Sequence, residues 1–159
     1  MLDQETMRQT LTTRWFDDFF VGERFALPSR VLTSEVLRAF AEASGDAQGL
    51  RSNPADSRAI GYDCVLAHGF LATIQTVACP GVFPFLVEDS LVGLLEQSSR
   101  YVRPVAEGDT LSPMLQVVEL EPNSGGTGIV GLRSTVHNQA RALIVEGAQR
   151  WLMRTRPKH

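Results

Sequence analysis

Apolar side chains recur every three or four residues along a stretch near the middle of the chain that begins at Leu66. Three polar residues interrupt this series, and a proline–glycine pair closes it. The spacing predicts a core helix that starts near His68–Gly69 and ends at Pro80–Gly81. The apolar positions are Phe70, Leu71, Ile74, Val77 and Ala78, and the polar ones are Thr73, Gln75 and Thr76.

A second, shorter helix is predicted upstream of the core helix. Thr33 has the side chain of an N-cap, and Gly45 is a typical residue for the end of a helix. A strand is expected before it, near Arg24–Leu27. Residues 46–67 sustain no period, so we expect an extended loop there that leads into the core helix. The apolar stripe of the shorter helix consists of Val36, Leu37, Phe40 and Ala43.

Four runs rich in Val, Leu, Ile and Thr follow the core helix, after a predicted loop at Phe83–Pro84–Phe85. Turn-forming residues separate the runs, as in an antiparallel sheet. The order of elements predicts an α+β fold in which one antiparallel sheet wraps around a single long helix. Because the other sheet face and the sheet edges need cover, we expect a homodimer or a dimer-based oligomer. The runs are Leu91–Arg103, Thr110–Glu121, Thr127–His137 and Ala142–Leu152.

The length of 159 residues fits one domain, which we place at residues 15–153, between a polar leader (1–14) and a basic tail (154–159) expected to be frayed. The formal net charge of −3 argues against nucleic acid as a partner. The chain has no apolar run of the roughly 20 residues that a membrane span needs, so we expect no membrane partner.

The two cysteines, Cys64 and Cys79, match no zinc or redox motif. We therefore expect reduced thiols in a cytoplasmic protein. No cluster of histidine, cysteine and carboxylate residues has the spacing of metal ligands. The sequence thus predicts neither a metal site nor any other cofactor.

Short motifs spread along most of the chain carry a family resemblance. They are Phe16–Asp17–Asp18–Phe19, Ser44–Gly45–Asp46, Asn53–Pro54, Ala67–His68–Gly69–Phe70–Leu71, Arg103–Pro104–Val105, Gly108–Asp109–Thr110–Leu111 and Asn138–Gln139. This combination resembles the MaoC-like dehydratase family, which includes (R)-specific enoyl-CoA hydratases. The resemblance implies a hot-dog fold, at least a dimer, and an acyl thioester of coenzyme A or of an acyl carrier protein as ligand.

The resemblance also implies roles for individual residues. In the family, a loop Asp and a His five residues later handle water and proton, and the amide of the Gly in a His–Gly pair binds the oxyanion. Asp46 matches that Asp and Gly69 matches that Gly, but Arg51 stands at the His position, and Gln48–Gly49 replaces the usual Asn–Pro. A guanidinium has a pKa above about 12 and only donates hydrogen bonds, so Arg51 cannot be a general base.

Three functions fit these residues. The first is a hydratase or dehydratase in which Asp46 orients water, Gly69 stabilises the oxyanion and Arg51 binds an anionic part of the substrate. The second is a non-catalytic acyl-thioester-binding module, paired with a MaoC-like subunit that supplies the missing His. The third is a hot-dog thioesterase. His68 is a candidate catalytic residue whose other role is to fix the entry of the helix. The candidate substrate-binding residues are Arg51, Gln48, Phe70, Leu71 and Ile74.

Overall fold

Four long antiparallel strands make up most of the sheet in the computed structural model, which describes residues 11–46, 53–77 and 83–158. The strands of these ranges are β1 (Arg24–Ala26), β2 (Arg30–Val31), β3 (Leu66–Ala67), β4 (Leu91–Tyr101), β5 (Val105–Ala106), β6 (Thr110–Asn123), β7 (Thr127–His137) and β8 (Leu143–Arg154). The main sheet has the order β1-β6-β7-β8-β4, and β2 also pairs with β6. β3 and β5 form a separate antiparallel pair.

One helix lies against the main sheet and contacts β6, β7 and β8. This is α3 (Gly69–Val77), and it is the predicted core helix. The other helices in the described ranges are α1 (Ser34–Ser44), α2 (Pro54–Ala59) and α4 (Phe83–Val87), and a 3-10 turn spans Phe16–Asp18. An antiparallel sheet wrapped around one helix is the hot-dog fold, so the predicted fold class is confirmed.

The ends of α1 follow the sequence signals. The Thr33 side chain accepts a hydrogen bond from the Val36 amide at 3.3 Å, and Gly45 ends the helix in the left-handed conformation with φ 71°. Leu37 is buried and Phe40 is half-buried, whereas Ala43 of the predicted stripe is exposed. The apolar face of α1 is therefore shorter than the stripe suggests.

Apolar side chains form two buried clusters, one toward each end of the sheet. The first gathers around Phe16, Phe83 and Trp151. The second contains Leu71 and Ala72 of α3 together with Val136 of β7 and their neighbours. Ala67 and Val105 of the β3–β5 pair belong to this second cluster, so this pair packs together with the first turn of α3.

The face that α3 turns to the sheet is more polar than its sequence pattern predicts. Thr73, Gln75 and Thr76 are buried, whereas the side chains of Phe70 and Ile74 are 58% and 45% exposed. The buried polar groups are satisfied, because Gln75 Nε2 donates to the Leu71 carbonyl and Gln149 Nε2 donates to Thr76 Oγ1, both at 3.0 Å. Burial with hydrogen-bond partners costs little, which is why the helix can rotate its polar residues inward.

Two predicted loops contain short helices. The Asn53 side chain accepts from the Ala55 amide at 3.0 Å and Pro54 occupies the first turn, so Asn–Pro starts α2 instead of a turn. The segment Phe83–Val87 is α4, with Pro84 in its first turn, where a proline loses no hydrogen bond. Leu66–Ala67 form β3, so the core helix starts at Gly69. Its predicted end at Pro80–Gly81 lies outside the described residues.

The tail is not frayed at its start, because Arg154 closes β8 and Arg156 is tied back to the 3-10 turn. The Arg156 amide donates to Asp17 Oδ2 at 2.8 Å, and its guanidinium donates to Asp18 at 2.7 Å. Burial raises the pKa of Asp18, but hydrogen bonds from the Trp15 amide and Arg156 outweigh this and lower the pKa. None of the described helices is long and apolar enough to cross a membrane.

Candidate active site

An open pocket of about 430 Å³ lies where the start of α3 meets the segment that follows β4. Two stretches of the chain line it, Ala67–Phe70 and Tyr101–Val105. The β3–β5 pair joins these stretches, since Ala67 is paired with Val105. The predicted candidates His68 and Gly69 thus lie together in one concave site.

The amide of Gly69 is the first N–H of α3, and such groups have no partner inside their helix. The next two amides already have acceptors. Phe70 N–H donates to His68 Nδ1 at 3.0 Å, and Leu71 N–H donates to the His68 carbonyl at 2.9 Å. No described residue accepts the Gly69 N–H. The positive end of the helix dipole lies at the same place as this amide. Both attract negative charge, so the site favours an oxygen that carries negative charge.

His68 is held by its own hydrogen bond and by two aromatic rings. Its ring stacks on Phe70 at a centroid distance of 5.1 Å and packs against Phe40 of α1 at 5.3 Å. Because Nδ1 accepts the Phe70 amide, the proton of the neutral imidazole lies on Nε2. This geometry is that of a helix cap, the structural role considered for His68, and it leaves Nε2–H as a donor.

Tyr101 packs on the Cα side of Gly69, a relationship that the sequence did not reveal. A Cβ atom at position 69 would lie 2.8 Å from Tyr101 Cε1 and 3.0 Å from Cδ1, closer than side chains tolerate. The Tyr101 ring also meets Phe70 edge to face at 6.3 Å. A larger residue at position 69 would have to displace the Tyr101 ring, so packing favours glycine here in addition to the motif.

The hydroxyl of Tyr101 enters a polar cluster between α3 and β4. It lies 3.0 Å from Thr73 Oγ1, which donates to Ser99 Oγ at 3.1 Å. Gln97 Nε2 also donates to Ser99 Oγ, at 2.9 Å. The signal for this cluster is the spacing of Gln97, Ser99 and Tyr101, which alternate along β4 and therefore share one face of the strand.

Asp46 follows the C-cap of α1, where its amide donates to Ser44 Oγ at 3.3 Å. It is half-buried and does not line the pocket, although Phe40 of the same helix packs on the pocket residue His68. The candidates Gln48 and Arg51 lie outside the described residues. The role of Asp46 in chemistry stays a prediction.

The predicted substrate-binding residues on α3 point in different directions. Phe70 lines the pocket, Leu71 is buried in the core, and Ile74 is exposed on the outer side of the helix without lining the pocket. Arg103 also lines the pocket. Its guanidinium donates to the Leu143 carbonyl at 2.8 Å, and no carboxylate in the described ranges pairs with it.

The ion pairs found among the described residues do not include any residue that lines the pocket. Arg100 and Arg133 both donate to Glu146 and hold the pKa of its carboxyl below the ordinary value, and Arg150 does the same to Glu121. Within residues 11–46, 53–77 and 83–158, no group of three His, Cys, Asp or Glu side chains is placed to hold a metal ion.

Known proteins resemble this chain over most of its length. A UPF0336 protein from Streptomyces griseus is 31% identical over 137 residues, which cover 81% of this chain and 89% of that protein. The mitochondrial 3-hydroxyacyl-[acyl-carrier-protein] dehydratase of Arabidopsis thaliana is 25% identical over 121 residues, which cover 75% of this chain and 69% of that protein.

Among solved structures, the unliganded R-hydratase PhaJ1 from Pseudomonas aeruginosa superposes with a TM-score of 0.71 and 25% identity. The match covers 92% of this chain and 89% of that chain. The family described as "FAS1-like, dehydratase domain region" matches residues 19–147, which contain the pocket and both stretches that line it. The chain therefore belongs to this family of MaoC-like hot-dog dehydratases and hydratases.

Proposed function

We propose that the protein is an acyl-thioester hydratase or dehydratase that interconverts enoyl and 3-hydroxyacyl thioesters. The observation that carries the proposal is the Gly69 amide. It is the first N–H group of α3, it lies in the pocket, and no described residue accepts a hydrogen bond from it. Hydration needs such a donor, because negative charge collects on the thioester oxygen in the enolate-like transition state. A preorganised amide at a helix start stabilises that charge more than it stabilises the neutral thioester.

The proposed reaction adds water across the double bond between Cα and Cβ. The water oxygen bonds to Cβ, the electrons of the double bond move toward the thioester oxygen at Gly69, and a proton is delivered to Cα. We assign Asp46 to orient the water, to accept its proton and to return that proton to Cα, so that one water supplies both the hydroxyl group at Cβ and the hydrogen at Cα. The family motif implies that this Asp handles the water and the proton. Arg51 would bind an anionic part of the acyl group, because its planar fork suits a carboxylate.

The thioester class comes from the relatives. The Arabidopsis protein is named for an acyl-carrier-protein substrate, and the family resemblance adds coenzyme A, so both are candidate carriers. We infer a cytoplasmic homodimer, or a pair with a related subunit. This inference is supported by β4, which pairs only with β8 among the described strands and leaves Val92 and Leu95 exposed.

A second candidate function is a thioester-binding subunit without catalysis of its own. Two observations favour it: Arg51 stands five residues after Asp46, where the family has a His, and His68 Nδ1 is occupied by the Phe70 amide. In this function Gly69 still binds the thioester oxygen. The acid–base group comes from another chain.

The test follows the enoyl absorbance of crotonyl-CoA with the purified protein and with Asp46→Asn. We expect hydration by the natural protein and a loss of about 100-fold or more in Asp46→Asn, as for removal of a positioned base. Asp56→Asn, an exposed carboxylate of α2, is the matched control and keeps full activity. Binding of crotonyl-CoA without turnover supports the second function, and release of free thiol shows a thioesterase.

A further inference from the structure

We propose that Tyr101 is a positioning residue that fixes the direction of the Gly69 N–H. Its ring packs on Gly69 and its hydroxyl forms a hydrogen bond with Thr73. One side chain of β4 therefore contacts both ends of the first turn of α3. The inference rests on the proposed function to the extent that Gly69 receives the thioester oxygen. Tyr101 itself does no chemistry in this proposal.

The two contacts restrain different movements of the helix. Gly69 and Thr73 are four residues apart, so they lie one above the other on the same face of α3, about 6 Å apart along the axis. The ring blocks movement of Gly69 toward β4, because its atoms occupy the space beside the Cα atom. The hydrogen bond at Thr73 blocks rotation of the turn around the helix axis.

The direction of the hydroxyl bond is also fixed. Thr73 has a single hydroxyl proton, which it donates to Ser99 Oγ, so the Tyr101 hydroxyl must donate to Thr73. Thr73 is 7% exposed while Tyr101 is 44% exposed. The hydroxyl end is therefore anchored in a partly buried cluster, in which Thr73 is buried, and Tyr101 also lines the pocket.

Such support matters because the amides of a first helical turn lack the ladder of hydrogen bonds that holds the interior of a helix. An oxyanion donor works only within about 2.7–3.1 Å of the developing charge. Small displacements of a catalytic group therefore cost far more in kcat than in substrate binding. Without Tyr101, the Gly69 amide keeps its chemistry but loses its fixed direction.

The first experiment measures kcat and KM for crotonyl-CoA with Tyr101→Leu, Tyr101→Phe, Thr73→Val and Thr73→Ser. We expect Tyr101→Leu to lower kcat about tenfold or more, with KM within about threefold of the natural value. Tyr101→Phe and Thr73→Val should each lower kcat about threefold, and the double variant should lower it no further, because both variants remove the hydrogen bond between Tyr101 and Thr73. Thr73→Ser keeps the hydroxyl and should keep kcat.

Tyr62, the other tyrosine of the chain, provides the control variant Tyr62→Leu, because it is exposed and does not line the pocket. The proposal is overturned if Tyr101→Leu changes kcat no more than Tyr62→Leu does. It is also overturned if Tyr101→Leu raises KM and leaves kcat intact. Circular dichroism and thermal unfolding confirm that each variant is folded at the assay temperature.

A second readout needs no turnover and so separates this inference from the proposed function. Acetoacetyl-CoA forms an enolate whose near-ultraviolet absorbance reports an oxyanion donor directly. We expect the natural protein to raise the enolate fraction of bound acetoacetyl-CoA and Tyr101→Leu to lower it, with equal total binding. If the natural protein raises the enolate fraction, Tyr101→Leu lowers it, and crotonyl-CoA is not hydrated, the proposed function fails and the inference stands. An equal enolate fraction in the two proteins overturns the inference. If it raises no enolate, Gly69 is not an oxyanion donor and the inference fails.

Discussion

His68 Nδ1 accepts the amide proton of Phe70 at 3.0 Å, so the histidine of the pocket caps the helix that it precedes. This bond consumes the lone pair that a general base would use, and it places the ring proton on Nε2. The geometry therefore favours helix capping by His68, whereas the His–Gly motif alone is compatible with both capping and proton transfer. His68 caps the helix, and the amide of Gly69 next to it has no acceptor among the described residues.

We predict that His68→Ala destabilises the protein by about 1 kcal/mol more than His68→Asn does, because asparagine also caps a helix through its side-chain oxygen. Both variants lose the stacking on Phe70, which cancels in the comparison. Urea unfolding measures the difference. If His68 only caps α3, His68→Asn keeps kcat within about threefold, whereas a loss of about 100-fold would assign proton transfer to the imidazole.

Gly69→Ala should destabilise the fold by about 1–3 kcal/mol, since the new methyl group overlaps the Tyr101 ring. Adding Tyr101→Leu should recover most of this stability without restoring activity. The matched control is Gly93→Ala in β4, where a Cβ atom would have no neighbour within 4 Å. Equal unfolding midpoints for Gly69→Ala and Gly93→Ala in urea would contradict the close contact.

Arg51→His should raise kcat for crotonyl-CoA about 100-fold, because it restores the acid–base group at the position where the family carries it. The same change should raise KM about tenfold for an enoyl-CoA with a second carboxylate, since the charge-assisted bond to the guanidinium is lost. Arg58→His, on the exposed side of α2, serves as control. An Arg51→His variant that is slower on both substrates would contradict this prediction and would show that the guanidinium itself contributes to catalysis.

The pH dependence of stability should contain a contribution from Glu146. Hydrogen bonds from Arg100 and Arg133 lower the pKa of Glu146 from its ordinary value of 4.5. A lowered pKa means that the stabilisation is present above the ordinary value and disappears as the pH falls through the folded-state value. The unfolding midpoint in urea should therefore fall less between about pH 6 and pH 3 in Glu146→Gln than in the natural protein.

High salt provides a check on that prediction, because exposed ion pairs are screened within about 3 Å at 1 M ionic strength. The difference between the natural protein and Glu146→Gln should shrink in 1 M salt. Glu42→Gln, an exposed residue of α1, is the matched control. A pH profile of Glu146→Gln that overlays the natural profile at low salt would contradict a role for this pair.

Much of the fold could be predicted from the chain because its signals are local. The strand β7 has the predicted bounds, Thr127–His137, and the other three long strands differ from their predicted bounds by one or two residues. Alternation and turn residues act within a few positions, so they can be recognised without a structure. The cap at Thr33 and the stop at Gly45 are local in the same sense.

The parts that could not be predicted depend on partners far away in sequence. Thr73 and Thr76 count as polar interruptions of an apolar helix until Tyr101 and Gln149 are placed beside them. A prediction from hydrophobic periodicity assumes that polar side chains face water. It is wrong where buried polar side chains form hydrogen bonds with one another. The contact between Gly69 and Tyr101 is invisible for the same reason, because 32 residues separate them.

The return of Arg156 to Asp17 and Asp18 has a practical consequence for handling the protein. The described chain enters and leaves at the same end of the sheet, where Thr155 also bonds to Gly126 of the β6–β7 turn. The pocket lies at the other end of β8, beside Val145, about 30 Å away at the rise of an extended strand. A dye, a surface tether or a fused carrier domain attached through the C-terminal tail should therefore leave the pocket open to a ligand.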